Sequence, residues 1–136
     1  MARGLKNNNP LNIRHNGDTF VGEIPGSDKA FKTFSGVAYG YRAAFVTLHT
    51  YLTKYRRNTI ETILAAWAPP EDSNDTEAYI TAVEKESGIA RDKMLTATGG
   101  EDYIRIVAAM SRVENGVKAK MPEVEAGFNL QWKIKK

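Results

Sequence analysis

Val37, Tyr41, Ala44, Phe45, Leu48, Tyr51 and Leu52 recur at helical spacing between residues 37 and 55. That spacing winds them onto one wide apolar stripe of a long helix. A stripe so wide stays out of water only if other elements cover it. The chain is therefore constrained to helices packed around a shared core. Ser35 stands where an N-cap is expected. Arg42, Lys54, Arg56 and Arg57 fall on the outer face and the C-terminal end, where cations suit the helix dipole.

The covering helices follow in order. Asn58-Thr59-Ile60-Glu61 has the spacing of a capping box, with Asn in the Ser/Thr position. The helix it opens buries Ile60, Ile63, Leu64 and Trp67, and Pro69-Pro70 stops it. A second box, Asn74-Asp75-Thr76-Glu77, opens a helix that carries Tyr79, Ile80 and Val83 and ends at Gly88. Ile89–Leu95 reads as another short helix and Thr96–Gly100 as a loop. From Gly100 to Gly116, Ile104, Val107, Ala108 and Met110 again recur at helical spacing. Glu101 and Asp102 favour the start of that helix, and Gly116 suits its left-handed stop. Beyond it lie a short segment at Pro122–Ala126, then Gly127 and Trp132. Residues 128–136 read as a basic tail with Lys133, Lys135 and Lys136.

The N-terminal region has a different texture. Asn7-Asn8-Asn9-Pro10 is turn chemistry, because Asn side chains bond nearby backbone and Pro fixes φ. Asn12 and Arg14 flank Ile13 in a strand-like alternation, and turns are signalled at Asn16-Gly17-Asp18, Gly22 and Pro25-Gly26. We read residues 11–34 as a small irregular β region with two or three short strands. The fold class is α+β, mainly α-helical, in one domain over residues 1–136, with helices over about 36–127.

Composition narrows the functional classes. The chain lacks cysteine, which removes disulfides and thiolate metal sites. His15 and His49 lie far apart in sequence with no further ligands evident, so neither a metal nor another cofactor is expected. There is no run long enough to span a bilayer and no apolar signal-peptide core in the first ten residues. Synthesis in the bacterial cytoplasm is expected, with any delivery to the cell wall by another route. A net charge of +3 mildly favours an anionic partner, whether nucleic acid or cell-wall polymer. A nucleic-acid interface would need a basic stripe with interleaved aromatics. Arg56-Arg57 and the C-terminal lysines supply that weakly.

Glu114 is the best catalytic candidate. It continues the apolar face of the Gly100–Gly116 helix and sits in its last turn. There it meets the negative end of the dipole and is partly desolvated. Both effects favour the neutral acid, the form that donates a proton. Alternatively, Glu114 lies at the edge of the stripe and pairs with Arg112 or a lysine. Asn9 and Asn12 either cap turns or face a cleft and hold sugar hydroxyls. Trp67 either plugs the core or stacks on a sugar ring.

The segment Arg3-Gly4-Leu5-Lys6-Asn7-Asn8-Asn9-Pro10-Leu11-Asn12-Ile13-Arg14 resembles the opening of a family of short phage and prophage proteins, often labelled virion structural proteins. The resemblance continues through Phe20-Val21-Gly22, Phe31 and Phe34. It runs on through Gly40-Tyr41-Arg42-Ala43, Asn58-Thr59-Ile60, Trp67-Ala68-Pro69-Pro70, Asn74-Asp75-Thr76 with Tyr79-Ile80, and Glu114-Asn115-Gly116. Leu11, Phe20 and Val113 stand where a glycine, a tryptophan and a histidine are usual. In addition, Val107–Gly116 resembles the catalytic helix of lysozyme-like lytic transglycosylases, whose Ala-rich helix ends in Val-Glu-Ser-Gly with the glutamate as acid. Those enzymes place their β region after that helix. Here it comes first, and a circular permutation of a lysozyme-like domain reconciles the two orders.

The resemblance implies a monomeric peptidoglycan hydrolase or lytic transglycosylase that acts on glycan strands, with Glu114 as acid. Glu23, between Gly22 and Ile24-Pro25-Gly26, is the first choice for a second carboxylate, ahead of Asp18 and Asp28. Asn9, Asn12, Arg14, Tyr41 and Trp67 are the expected substrate-binding residues. The alternative is a non-catalytic virion or cell-wall-binding protein that keeps the fold, with other virion proteins as partners. A nucleic-acid-binding phage protein is the third class.

Overall fold

The computed structural model describes residues 1–96 and 100–133. A short helix α1 (Arg3–Lys6) leads into strands β1 (Glu23–Ile24) and β2 (Thr33–Phe34). Then come α2 (Val37–Tyr55), α3 (Ile60–Trp67), α4 (Thr76–Ser87), α5 (Gly100–Asn115) and α6 (Met121–Lys133), with a single 3-10 turn at Pro70–Asp72 between α3 and α4. This is the mainly helical α+β class the periodicity predicts. Within the loop expected over Thr96–Gly100, residues 97–99 lie outside the described residues, as does the end of the tail, 134–136.

The stripe of α2 is at the centre of the core. Tyr41, Ala44, Phe45 and Leu48 are all buried. Ile63, Leu64, Ile80, Val83, Ile106, Val107 and Met110 from α3, α4 and α5 join them in one cluster. The long partner of α2 is α6, where the sequence suggested only a short segment and a tail. Gly127 makes the approach possible: a Cβ there would fall 2.4 Å from Tyr41 Cβ and 2.8 Å from the Ala38 carbonyl oxygen. Phe128 meets Phe45 edge-on at 5.2 Å between ring centroids, a favoured aromatic geometry. A glycine that reads as a stop is thus the point of closest helix contact. Arg42, placed on the outer face by its charge, is in fact buried in α2. Burial pushes its guanidinium below its usual range.

Helix ends differ from expectation by a residue or two. The N-cap of α2 is Gly36, and Ser35 makes no cap. Thr59 caps α3, in a reciprocal box with Thr62 rather than one opened by Asn58. Asp75 caps α4 by accepting from Ala78 N, and Asn74 donates instead to the Pro69 carbonyl. In both cases the side chain one position later accepts from the free N–H groups. The helix expected over Ile89–Leu95 is not formed. That segment turns and runs beside α3, where Leu95 N donates to Asn58 O and Glu61 N to Arg91 O. The short helix α1 carried no periodic signal.

The β region is slighter than its turn signals imply. β1 and β2 pair antiparallel, Glu23 with Phe34 and Ile24 with Thr33, and Arg14 forms one isolated bridge with Phe31. Order in residues 3–34 comes largely from side chains. Asn8 and Asn12 both hold left-handed backbone, φ 53° and 54°, which Asn tolerates better than most residues. Asp28 is a hub. Arg3 donates to it through Nε and Nη2 at 2.6 and 2.7 Å, Asn7 Nδ2 at 3.0 Å, and the Ala30 and Phe31 amides at 2.9 and 3.0 Å.

The Arg3 guanidinium, and after it the Phe31 amide, hold the Asp28 carboxyl far below the usual carboxylate range. A folded-state pKa below the unfolded one, about 3.9, stabilises above the unfolded value. That stability is lost progressively as pH falls below it. Asp28→Asn should therefore melt below wild type at pH 6, and the gap should narrow steadily from about pH 4 downward. Melting curves from pH 6 to pH 2 test this, and a gap constant with pH would remove Asp28 from the acid response.

Candidate functional site

The last turn of α5 carries Glu114 to the meeting point of three elements. Tyr79, from α4, donates its hydroxyl to Glu114 Oε2 at 2.8 Å. Asn12, from the N-terminal segment, donates Nδ2 to Glu114 Oε1 at 2.8 Å. The neighbouring Asn115 ties the same two segments together, donating Nδ2 to the Pro10 and Ser111 carbonyls, each at 2.8 Å. Gly116, at φ 74°, ends the helix with its N–H on the Arg112 carbonyl. The N-terminal segment thus meets the C-terminal end of α5.

Each carboxylate oxygen accepts one hydrogen bond, so the group is fixed in position while each oxygen keeps a lone pair. Burial pushes the Tyr79 hydroxyl well above its ordinary pKa, and the Glu114 charge adds to the rise. Tyr79 therefore stays a donor across the physiological range. Gly4 leaves room for Asn12: a Cβ there would lie 2.7 Å from the Asn12 Oδ1.

Glu114 opens onto a groove of about 370 Å³. The N-terminal segment contributes Asn12, Arg14 and His15, α2 contributes Thr47 and Tyr51, the end of α3 contributes Trp67, and the α3–α4 connection contributes Asp72 and Asn74. Trp67 meets Tyr51 edge-on at 6.3 Å and Arg57 lies 4.8 Å over the Tyr51 ring, so Trp67 packs against its neighbours and also faces the groove. A groove with aromatic surface, several hydrogen-bonding side chains and a clamped carboxylate can hold a polar, ring-shaped ligand and pass it a proton.

No family model matches the chain. It is 41% identical over 132 residues to Protein P5 of Pseudoalteromonas phage PM2, an alignment that covers 93% of this chain and 80% of that protein. The chain belongs to the Protein P5 family.

In this P5-family protein, Asn12, Arg14, Trp67 and Glu114 come together on the groove. The other predicted site residues do not join them. Asn9 is fully buried. Its Nδ2 donates to the Ile13 and Lys32 carbonyls and its Oδ1 accepts from Ile13 N, each at 2.9 Å. That is the turn-capping role. Tyr41 is buried in the core and shares a 2.9 Å hydrogen bond with Ser111. Glu23 lies away from the groove-lining residues. Its carboxylate takes two hydrogen bonds from Lys32 Nζ, at 2.9 and 3.0 Å, and one from Phe20 N. Lys32 is itself 1% exposed, and a buried ammonium needs a counter-charge. Its glycine and proline neighbours gave Glu23 the look of a solvated loop residue.

Residues the sequence did not single out complete the groove. Tyr79 shares helical spacing with Ile80 and Val83, so it read as core. Its only distinguishing signal was a hydroxyl that needs a partner when buried. Asp72 sits in what reads as a plain linker, and Asn74 reads as the opening of a capping box. His15 lines the groove and donates Nε2–H to the Asp28 carbonyl, whereas His49 lies beside Phe45 and Tyr103. Among the described residues no cluster of His, Asp and Glu could hold a metal ion. No helix among them is long and apolar enough to cross a membrane.

Proposed function

We propose that this P5-family protein is a particle-borne phage protein that binds peptidoglycan glycan strands and cleaves them, with Glu114 as the proton donor. The particle role rests on kinship with a phage protein. The cleavage rests on one observation, the carboxylate clamped by Asn12 and Tyr79 at the edge of a groove. The glycan lies in the groove with a sugar ring against Trp67. Glu114 then protonates the glycosidic oxygen as the ring moves toward an oxocarbenium-like transition state. A lysozyme-like domain in permuted order accounts for a Val-Glu-Asn-Gly helix end that comes after the β region. The protein acts as a monomer and needs no cofactor. It is made in the cytoplasm and reaches the cell wall inside the particle.

In this mechanism Tyr79 is a positioning residue. Tyr79→Phe removes the donor to Glu114 Oε2 and leaves the ring. We expect kcat on purified peptidoglycan to fall roughly tenfold to a hundredfold, the range for a hydrogen bond to a charged group. KM should change little. A fall in KM affinity with kcat intact would make Tyr79 a substrate contact instead.

The kinship itself favours a second reading, in which the protein is a particle component that holds glycan without turnover. Mass spectrometry of muropeptides after incubation with cell walls separates the two. New glycan ends support cleavage, and binding without new ends supports the structural role.

A further inference from the structure

We infer that Asp72 is the second carboxylate of this site, the base that takes a proton from the attacking water. The inference rests on the glycan-cleaving reading above and adds its second half. Asp72 lines the same groove as Glu114. Asp18, Glu23 and Asp28 of the β region do not line it; Glu23 is paired with Lys32, and Asp28 is taken up by Arg3 and two backbone amides. Asp72 is exposed, and among the described residues its side chain has no hydrogen bond or ion pair. Both of its oxygens are open to water.

The turn beneath it is held firmly. Asp72 N and Ser73 N donate to the Pro69 and Pro70 carbonyls, each at 3.1 Å. Asn74 Nδ2 donates to the same Pro69 carbonyl at 3.0 Å, and the Thr76 hydroxyl to the Ala68 carbonyl. A fixed turn that carries an exposed, unengaged carboxylate on the same groove as a clamped one offers the two carboxyl groups that single-displacement glycoside hydrolysis uses. Glu114 gives a proton to the glycosidic oxygen while the bond from that oxygen to the anomeric carbon breaks. A water held by Asp72 attacks the anomeric carbon from the other face and gives a proton to Asp72. One water is consumed, two hydroxyl-bearing ends are released, and exchange with solvent returns Asp72 to the anion and Glu114 to the acid.

The test uses the whole chain on purified peptidoglycan. Wild type should release reducing ends with inverted anomeric configuration, read by NMR in the first minutes of reaction. Asp72→Asn should melt as wild type does, because Asp72 is exposed. Its kcat should fall at least about a hundredfold, the usual scale for removing a general base, with KM little changed, and added azide should restore turnover as a glycosyl azide. Near-wild-type turnover in Asp72→Asn, alongside an inactive Glu114→Gln, would overturn the role of Asp72 and leave glycan cleavage standing. Anhydro ends from wild type would do the same, because no water is then activated. A wild type that makes no new ends would overturn both.

Discussion

Glu114→Gln should abolish glycan cleavage, with kcat on purified cell walls down by roughly a hundredfold to ten-thousandfold, the range for removal of a general acid. Glutamine keeps the shape of the side chain but cannot give up a proton as a carboxylic acid does. Folding should change only modestly. Asn12 and Tyr79 both donate to the carboxylate, so one of them would face an amide N–H in the variant. The tyrosine hydroxyl can turn to accept that N–H, which limits the loss to about 1–2 kcal/mol. The sequence alone suggested no loss at all, because a carboxylate at a helix C-terminus is poorly placed. The two donors reverse that expectation. Initial rates and a melting curve on the same preparation decide the matter, and wild-type turnover would take Glu114 out of the mechanism.

Asn9→Asp should damage folding more than any other single carboxamide change in this segment. Asn9 is fully buried, and its two N–H groups satisfy the Ile13 and Lys32 carbonyls. Aspartate leaves the Lys32 carbonyl without its donor, leaves the Ile13 carbonyl with Lys32 N alone, and aims a buried carboxylate at both. An unsatisfied buried carbonyl costs roughly 1–3 kcal/mol and an unpaired buried carboxylate adds more, so the total is about 3 kcal/mol or more and the melting temperature drops by roughly 10 °C. Activity per folded molecule, measured well below the melt, should be near normal, because Asn9 does not line the groove. Normal stability with lost activity would return Asn9 to the substrate-binding role it suggests in sequence.

The helical frame was legible because each long helix carries an apolar stripe with the right period. α2 spans Val37–Tyr55 as its stripe predicts, and α5 runs to the residue before Gly116. α6 was not legible, since Pro122 and Gly127 interrupt the pattern. Pro122 is tolerated in the first helical turn, and Gly127 is needed where α6 crosses Tyr41. Glu114 could be found from its place on a stripe and beside a stop glycine. Its partners could not, because Asn12 lies 102 positions away and Tyr79 35 positions away. Residue type shows that an amide or hydroxyl needs a partner and cannot say which one. For the same reason Asn9 and Asn12 were indistinguishable on paper, though one is buried and the other meets the carboxylate.

The contact between Asn12 and Glu114 also sets when the groove can exist during synthesis. A chain emerging from the ribosome N-terminus first carries Asn12 for 102 further residues before its carboxylate partner is made. Closing a loop that long is entropically costly and slow compared with forming a helix. α3 and α4, which pack on each other, can associate while the chain is still being extended. The clamp cannot, because α5 has to be outside the exit tunnel. A nascent chain therefore carries an open N-terminal strap, and the site closes only once α5 has emerged.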